Sequence, residues 1–232
     1  MRAGPFFFMA ITVTKLEVCN RALGRLGQVM ISDFDALTVV PTACRQFYDS
    51  CRLQLLRAHP WNFAMKREPL AQMNDEPRFG PTQQYLLPPG CVSALDCYTD
   101  IDGRCKIDRF SVENGRLLTD HENCYLLYVH DYTDPTSWDS VFTEAMVCFL
   151  ASQLAVKLTG DQSLRVALLQ ELDQVIIPKA TLYNSWEDSS NENNPVQDFM
   201  NGAAINRYSS GYGGFGFGGR IIDTSNVYTP LY

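Results

Sequence analysis

The sequence predicts an α+β protein: a four-helix antiparallel bundle with an inserted small antiparallel β module and an extended C-terminal tail. Three observations carry this expectation. Residues 14–63 and 136–186 place apolar side chains at spacings of three and four, the period of a helix with one buried face. Residues 64–135 change to short alternating runs broken by Pro and Gly, the texture of strands and turns. Residues 187–232 keep neither period and interleave Gly with aromatic residues. Residues 1–13 read as an N-terminal extension, with Met9 as the natural start and 1–8 added before it.

The first helix opens at Thr14, with Glu17 three residues on as its capping-box partner. Leu16, Cys19, Leu23 and Leu26 form its seam, and Gly27 stops it. A loop over 28–40 turns through Ser32, Asp33, Phe34 and Asp35. The second helix starts at Thr38 or Thr42, with Pro41 where a missing N–H does no harm. Cys44, Phe47, Cys51, Leu55 and Ala58 make its buried stripe. Pro60 ends it by pushing His59 out of the α region. From Thr42 to His59 such a helix is about 27 Å long. Trp61 and Phe63 follow, two large bodies that need a pocket.

In the middle segment Tyr85, Leu86 and Leu87 precede the hard break Pro88-Pro89-Gly90, and residues 95–98 make a second short strand. Runs at 109–112 and 116–119 flank Glu113-Asn114-Gly115, where Asn-Gly is a strong hairpin signal. Residues 124–130 form a further strand. Thr136 or Ser137 then caps a third helix carrying Phe142, Met146, Phe149, Leu150 and Leu154. Residues 145–151 are apolar nearly all round, which makes this helix the central one. Gly160 ends it, and Asp161 opens a fourth with Leu164, Leu168, Leu172, Val175 and Ile176 as its stripe. Pro178 must kink or break that helix. Four such helices are expected to pack as one bundle.

The 232 residues carry a net charge of −7, with 46% apolar residues. That balance argues against a surface built to grip phosphates, while leaving room for DNA to slide past. Eight cysteines form no C-x-x-C pair, so neither a zinc ribbon nor a thioredoxin motif is indicated. Several lie on apolar stripes, which suggests reduced thiols and assembly inside a cell. The apolar run at the start is too short to span a bilayer, and no membrane partner is expected.

Little of the sequence suggests catalysis. His59, His121 and His130 stand in no metal-ligand spacing, and neither a nucleophile elbow nor a phosphate-binding loop is present. Gly211, Gly213 and Gly216 match G-x-G-x-x-G, but without the preceding strand and following helix the fingerprint needs. Asp96, Asp100, Asp102 and Asp108 cluster around Gly103, half of a calcium loop without its later ligands. A solvated turn is the simpler reading. The expectation is a non-enzyme with no cofactor and no metal.

The stretch 38–64 also carries a resemblance. Ala22-Leu23-Gly24-Arg25-Leu26-Gly27, the acidic turn at 33–35, Cys44, Tyr48, Arg52 and His59-Pro60-Trp61-Asn62-Phe63-Ala64 resemble the tail tubular protein A family, the head-to-tail adaptor proteins of short-tailed bacteriophages. Tyr128, Asp134-Pro135, Trp138-Asp139, Phe142, Ala145 and Leu150-Ala151 resemble its strand, D-P-x-x-W-D turn and following helix. The likeness spans residues 14–183; the Gly/aromatic tail departs from it. It implies a ring, expected to be twelve-fold, between the portal protein and the tail nozzle protein. Double-stranded DNA passes through without specific binding. The place is the virion tail at the portal vertex, after assembly in the host cytoplasm. Trp61, Phe63 and Trp138 are the structural motif residues on this reading. Tyr208, Tyr212, Phe215, Phe217, Tyr228 and Tyr232 are expected to dock the tail on the portal or a neighbouring subunit. An extended tail reaches about 150 Å. Two alternatives stand beside it: a tail-associated glycan hydrolase using the Asp cluster, or a host-surface carbohydrate-binding module stacking the aromatics of the C-terminal tail on sugars.

Overall fold

The computed structural model describes residues 13–187, apart from 76 and 78. Helix α1 (Lys15–Arg25) begins at Thr14, whose hydroxyl accepts the Glu17 amide at 3.2 Å. It buries Val18, Cys19, Ala22 and Leu23. Helix α2 (Val39–Ala58) starts at Thr38 rather than Thr42 and ends at His59, which is extended (φ −144°) ahead of Pro60. A 3-10 turn (Asn62–Ala64) leads into strand β1 (Met65–Pro69). Then come β2 (Gln83–Leu86), β3 (Cys91–Tyr98), β4 (Ser111–Glu113), β5 (Arg116–Thr119) and β6 (Tyr125–His130). Helix α3 (Ser140–Thr159) follows a 3-10 turn at Pro135–Ser137. Its cap is Asp139, not Thr136 or Ser137. The Asp139 carboxylate accepts the Ser140 and Val141 amides at 2.6 and 3.1 Å, while Asp134 and Pro135 recruit Thr136 and Ser137 into the turn.

Helices α4 (Gln162–Glu171) and α5 (Ile177–Glu187) are joined by a π turn (Leu172–Ile176). Pro178 therefore does not break the helix. The Ile177 amide reaches five residues back to the Leu172 carbonyl, so the widened turn sits just ahead of Pro178. That spacing eases the clash a proline ring makes with the preceding turn.

The four-helix antiparallel bundle is not what forms. The molecule is mixed, with helices and two small antiparallel sheets sharing the interior. Helix α3 packs against α1, α2, α4 and α5, and no other pair of these helices packs extensively. Thirteen α3 residues are buried, from Val141 to Ala155. A bundle needs each helix to show one stripe to a shared core. A helix buried all round must instead be wrapped. By length and apolarity α3 could cross a membrane, but most of it is buried inside this fold.

The first sheet has the order β1-β6-β3 and the second β2-β5-β4, all antiparallel. Strand β1 leaves the first helical segment and β6 leads to the second, so their pairing draws the two segments together. Val129 of β6, with Val92 and Leu95 of β3, packs into the helical core. Leu126 and Tyr128 of β6 face a second core with Tyr85, Cys97, Ile107, Leu117 and Cys124. With both faces covered, β6 reads as a continuous apolar run. The β4–β5 hairpin turns at Asn114 (φ 48°) and Gly115 (φ 73°), the left-handed pair that Asn-Gly supplies. Cys97 and Cys124 are joined as a disulfide in the second core, against the expectation of reduced thiols throughout. The Tyr98–Tyr125 register of β3 and β6 brings these two positions together. The other six cysteines are free, four of them buried.

Candidate functional site

The site grows from the end of α2. Beyond Pro60 the chain turns Trp61 inward, 1% exposed, and its indole Nε1 donates to the Leu55 carbonyl at 2.9 Å. That bond satisfies one of the carbonyls a helix end leaves open. Trp138 is held the same way, donating to Tyr132 O at 2.8 Å. Both indoles are thus tied to a carbonyl six residues upstream.

Phe142, in the first turn of α3, joins these rings. Trp61, Trp138 and Phe63 stand 4.9, 4.9 and 5.0 Å from it, the two indoles edge-on. His59 lies edge-on to Trp61 at 4.9 Å, and Tyr48 stacks on Trp138 at 6.3 Å. Such contacts add about 0.5–1.5 kcal/mol each beyond the area they bury.

Tyr183 and Trp186, one turn apart on α5, form the opposite wall of an open cleft of about 540 Å³. Trp61, Phe63, Trp138, Asn62 and Asp139 line the other side. Trp186 is 54% exposed. Asn62 donates to Asn184 O at 3.2 Å and to Glu187 Oε2 at 3.1 Å, while Asn184 donates to Pro60 O at 2.9 Å. The Asn184 amide also lies 3.0 Å from His59 Nε2. Burial pulls His59 down to about 4. The ring is therefore neutral at neutral pH, and Nε2 is free to accept from Asn184. The cleft can stack against a flat or apolar group and offer amides and carboxylates around it.

A buried charge braces the same helix. Arg52, 4% exposed, pairs with Asp131 at 2.6 Å and Asp49 at 3.3 Å. Its Nε and the Tyr48 hydroxyl have no partner among the described residues. Burial pushes the Tyr48 phenol up. It also drives the Cys51 and Cys148 thiols to about 12, far from a reactive thiolate.

Two members of the Asp cluster, Asp100 and Asp96, are engaged by neighbouring groups. Asp100 accepts the Cys105 amide at 2.8 Å and the Arg104 amide at 3.1 Å, and these bonds hold its carboxyl below the usual range. Asp96 is ion-paired with Lys106. Among the described residues no group of three or more His, Cys, Asp or Glu is placed to hold a metal.

The structure brings Trp61, Phe63 and Trp138 into one cluster. The tail residues Tyr208, Tyr212, Phe215, Phe217, Tyr228 and Tyr232, and the glycines at 211, 213 and 216, lie outside the described residues. Sequence reasoning placed Phe142 on the α3 pattern but missed that it holds the rings together. It missed Tyr183 and Trp186 altogether, although their spacing of three marks one helix face. No protein-family model and no curated protein matches the chain.

Proposed function

We propose that the protein is a structural head-to-tail adaptor, one copy in a ring between the portal and tail nozzle of a short-tailed phage. It is a virion component assembled in the host cytoplasm, and the genome passes through the ring. The observation that carries this reading is the meeting of its two motif segments. Residues 59–64 and 134–139 stand some seventy residues apart, yet Trp61 and Trp138 close on the same face of Phe142's helix. The motifs behind the resemblance serve as mutual packing partners, as a contact-making part requires. The tail then docks on the portal or on a neighbouring copy, its aromatics offsetting the entropy lost on ordering.

Electron microscopy of the purified protein mixed with portal tests this, and collars of identical copies on the portal are the expected image. Removing residues 200–232 should leave a folded protein that no longer joins. Particles assembling normally with that deletion would overturn the tail's role, and portal that never gains a collar would overturn the reading itself. A second reading, carbohydrate binding, is favoured by the exposed Trp186 and Tyr183 beside the Asn62 and Asn184 amides. It expects Trp fluorescence to respond to host surface glycans and the response to vanish in Trp186→Ala. Glycan titration with no change discards it.

A further inference from the structure

We propose that the chain self-associates head to tail, the α1–α2 loop of one copy seating in a groove at the far end of α2 of the next. The inference rests on the ring reading above and supplies its contact surfaces.

The loop is a built surface. Ile31 and Phe34 point inward and pack on the helical core. Asn20 clamps the Ile31 backbone from both sides, donating to its carbonyl at 2.9 Å and accepting its amide at 2.8 Å. Arg45 donates to Phe34 O, and Asp33 accepts the Asp35 amide at 2.9 Å. Held this way, the loop turns Val29, Met30, Leu37 and Val39 outward, 86, 69, 93 and 73% exposed. Four outward apolar side chains within eleven residues, on a braced backbone, form a preorganised contact surface.

The groove is its counterpart. Leu53, Gln54 and Arg57 on the outer face of α2 border about 350 Å³ with Cys91 and Val92 of β3. Leu53 is 40% exposed. Arg57 is exposed and makes no ion pair among the described residues, whereas the groove's Asp131 is already held by Arg52. The loop carries Asp33 and Asp35, both exposed and likewise without an ion pair among the described residues. Apolar therefore meets apolar, and two carboxylates meet an open guanidinium.

Position selects a second copy as the occupant. Val39 and Arg57 lie at opposite ends of α2, about 27 Å apart at 1.5 Å per residue. Loop and groove cannot meet within one copy, and each copy offers one of each. Two different patches that fit one another propagate, closing into a ring or running on as a filament.

The test uses the full chain with two surface variants, Leu37→Asp to block the loop and Arg57→Glu to block the groove. Circular dichroism checks that each is folded. In sedimentation velocity the wild type should form species larger than a dimer as concentration rises. Each variant alone should associate more than about tenfold more weakly. An equimolar mixture should give a dimer and nothing larger, since one intact loop and one intact groove remain. A wild type that stays monomeric, a mixture that stays monomeric, or a variant that assembles like wild type each overturns the inference. If Leu37→Asp still forms collars on the portal, this interface fails while the adaptor reading stands. If Leu37→Asp loses portal binding but self-associates normally, the loop's occupant is the other protein and the inference fails. Head-to-tail assembly without any portal collar keeps the interface and removes the adaptor reading.

Discussion

Replacing Phe142 tests whether the aromatic cluster holds the fold together or merely fills space. The side chain is fully buried, with Trp61, Trp138 and Phe63 all within 5.0 Å. Phe142→Ala removes most of the ring and leaves a cavity, a change that costs about 3–5 kcal/mol in a close-packed interior. Phe142→Leu keeps most of the volume and deletes the ring contacts. Three such contacts, counted conservatively because they share one ring, amount to about 2 kcal/mol. A domain of ordinary stability holds only about 5–15 kcal/mol in all. Urea unfolding followed by tryptophan fluorescence reads both, because two indoles sit on the ring. The expected order is wild type, Leu, Ala, with a clear gap at each step. A leucine variant within about 0.5 kcal/mol of wild type, beside a costly alanine, would show that volume alone matters there. An alanine variant costing under about 1 kcal/mol would refute the packing argument outright.

Three more expectations follow from the same packing. Between pH 6.5 and about 4 the unfolded chain binds a proton that folded His59 refuses, so stability falls as pH drops through that window. The loss is about 1–2 kcal/mol after screening by the solvent that still reaches the ring; His59→Gln should flatten that part of the urea midpoint against pH, and an unchanged slope would count against the buried neutral ring. Gly90 has φ +77°, and a Cβ there would stand 2.8 Å from His130 Cε1, so Gly90→Ala should cost about 1–3 kcal/mol by thermal melting; a variant as stable as wild type would contradict this. Arg52→Met should cost about 1–3 kcal/mol by leaving Asp131 unpaired, and adding Asp131→Asn should recover part of it; strictly additive losses would mean the pair does not interact.

Local signals predicted local structure well. Asn114-Gly115 marked a hairpin because few other residues accept two successive left-handed conformations. The all-round apolarity of α3 marked the central helix. Strand β1 was invisible because Met65-Lys66-Arg67-Glu68-Pro69 has neither alternation nor β-branched residues; it becomes a strand by pairing with β6. The division into two sheets was equally hidden, since pairing partners are chosen by tertiary packing. The bundle expectation failed on a point the sequence did contain: a helix with no polar face cannot be one of four equal members. Half of the cleft was legible, because Trp61 and Phe63 demanded a pocket and Trp138 stood out as a motif residue. The other wall was lost because the stripe read from the sequence ended at Ile176, so Tyr183 and Trp186, five and eight residues beyond Pro178, were given no face although the helical segment ran to residue 186.

The widened turn ahead of Pro178 has a bearing on which way those two residues look. One extra residue in a helical turn rotates everything after it by about 100°. Were residues 172–176 wound at the ordinary pitch, Tyr183 and Trp186 would swing a quarter-turn off their present bearing, and the cleft would lose its outer wall. Taking a single residue out of that turn would let it wind at the ordinary pitch and return the eleven residues of Ile177–Glu187 to nearly their present bearing: the extra residue and the widened turn offset one another.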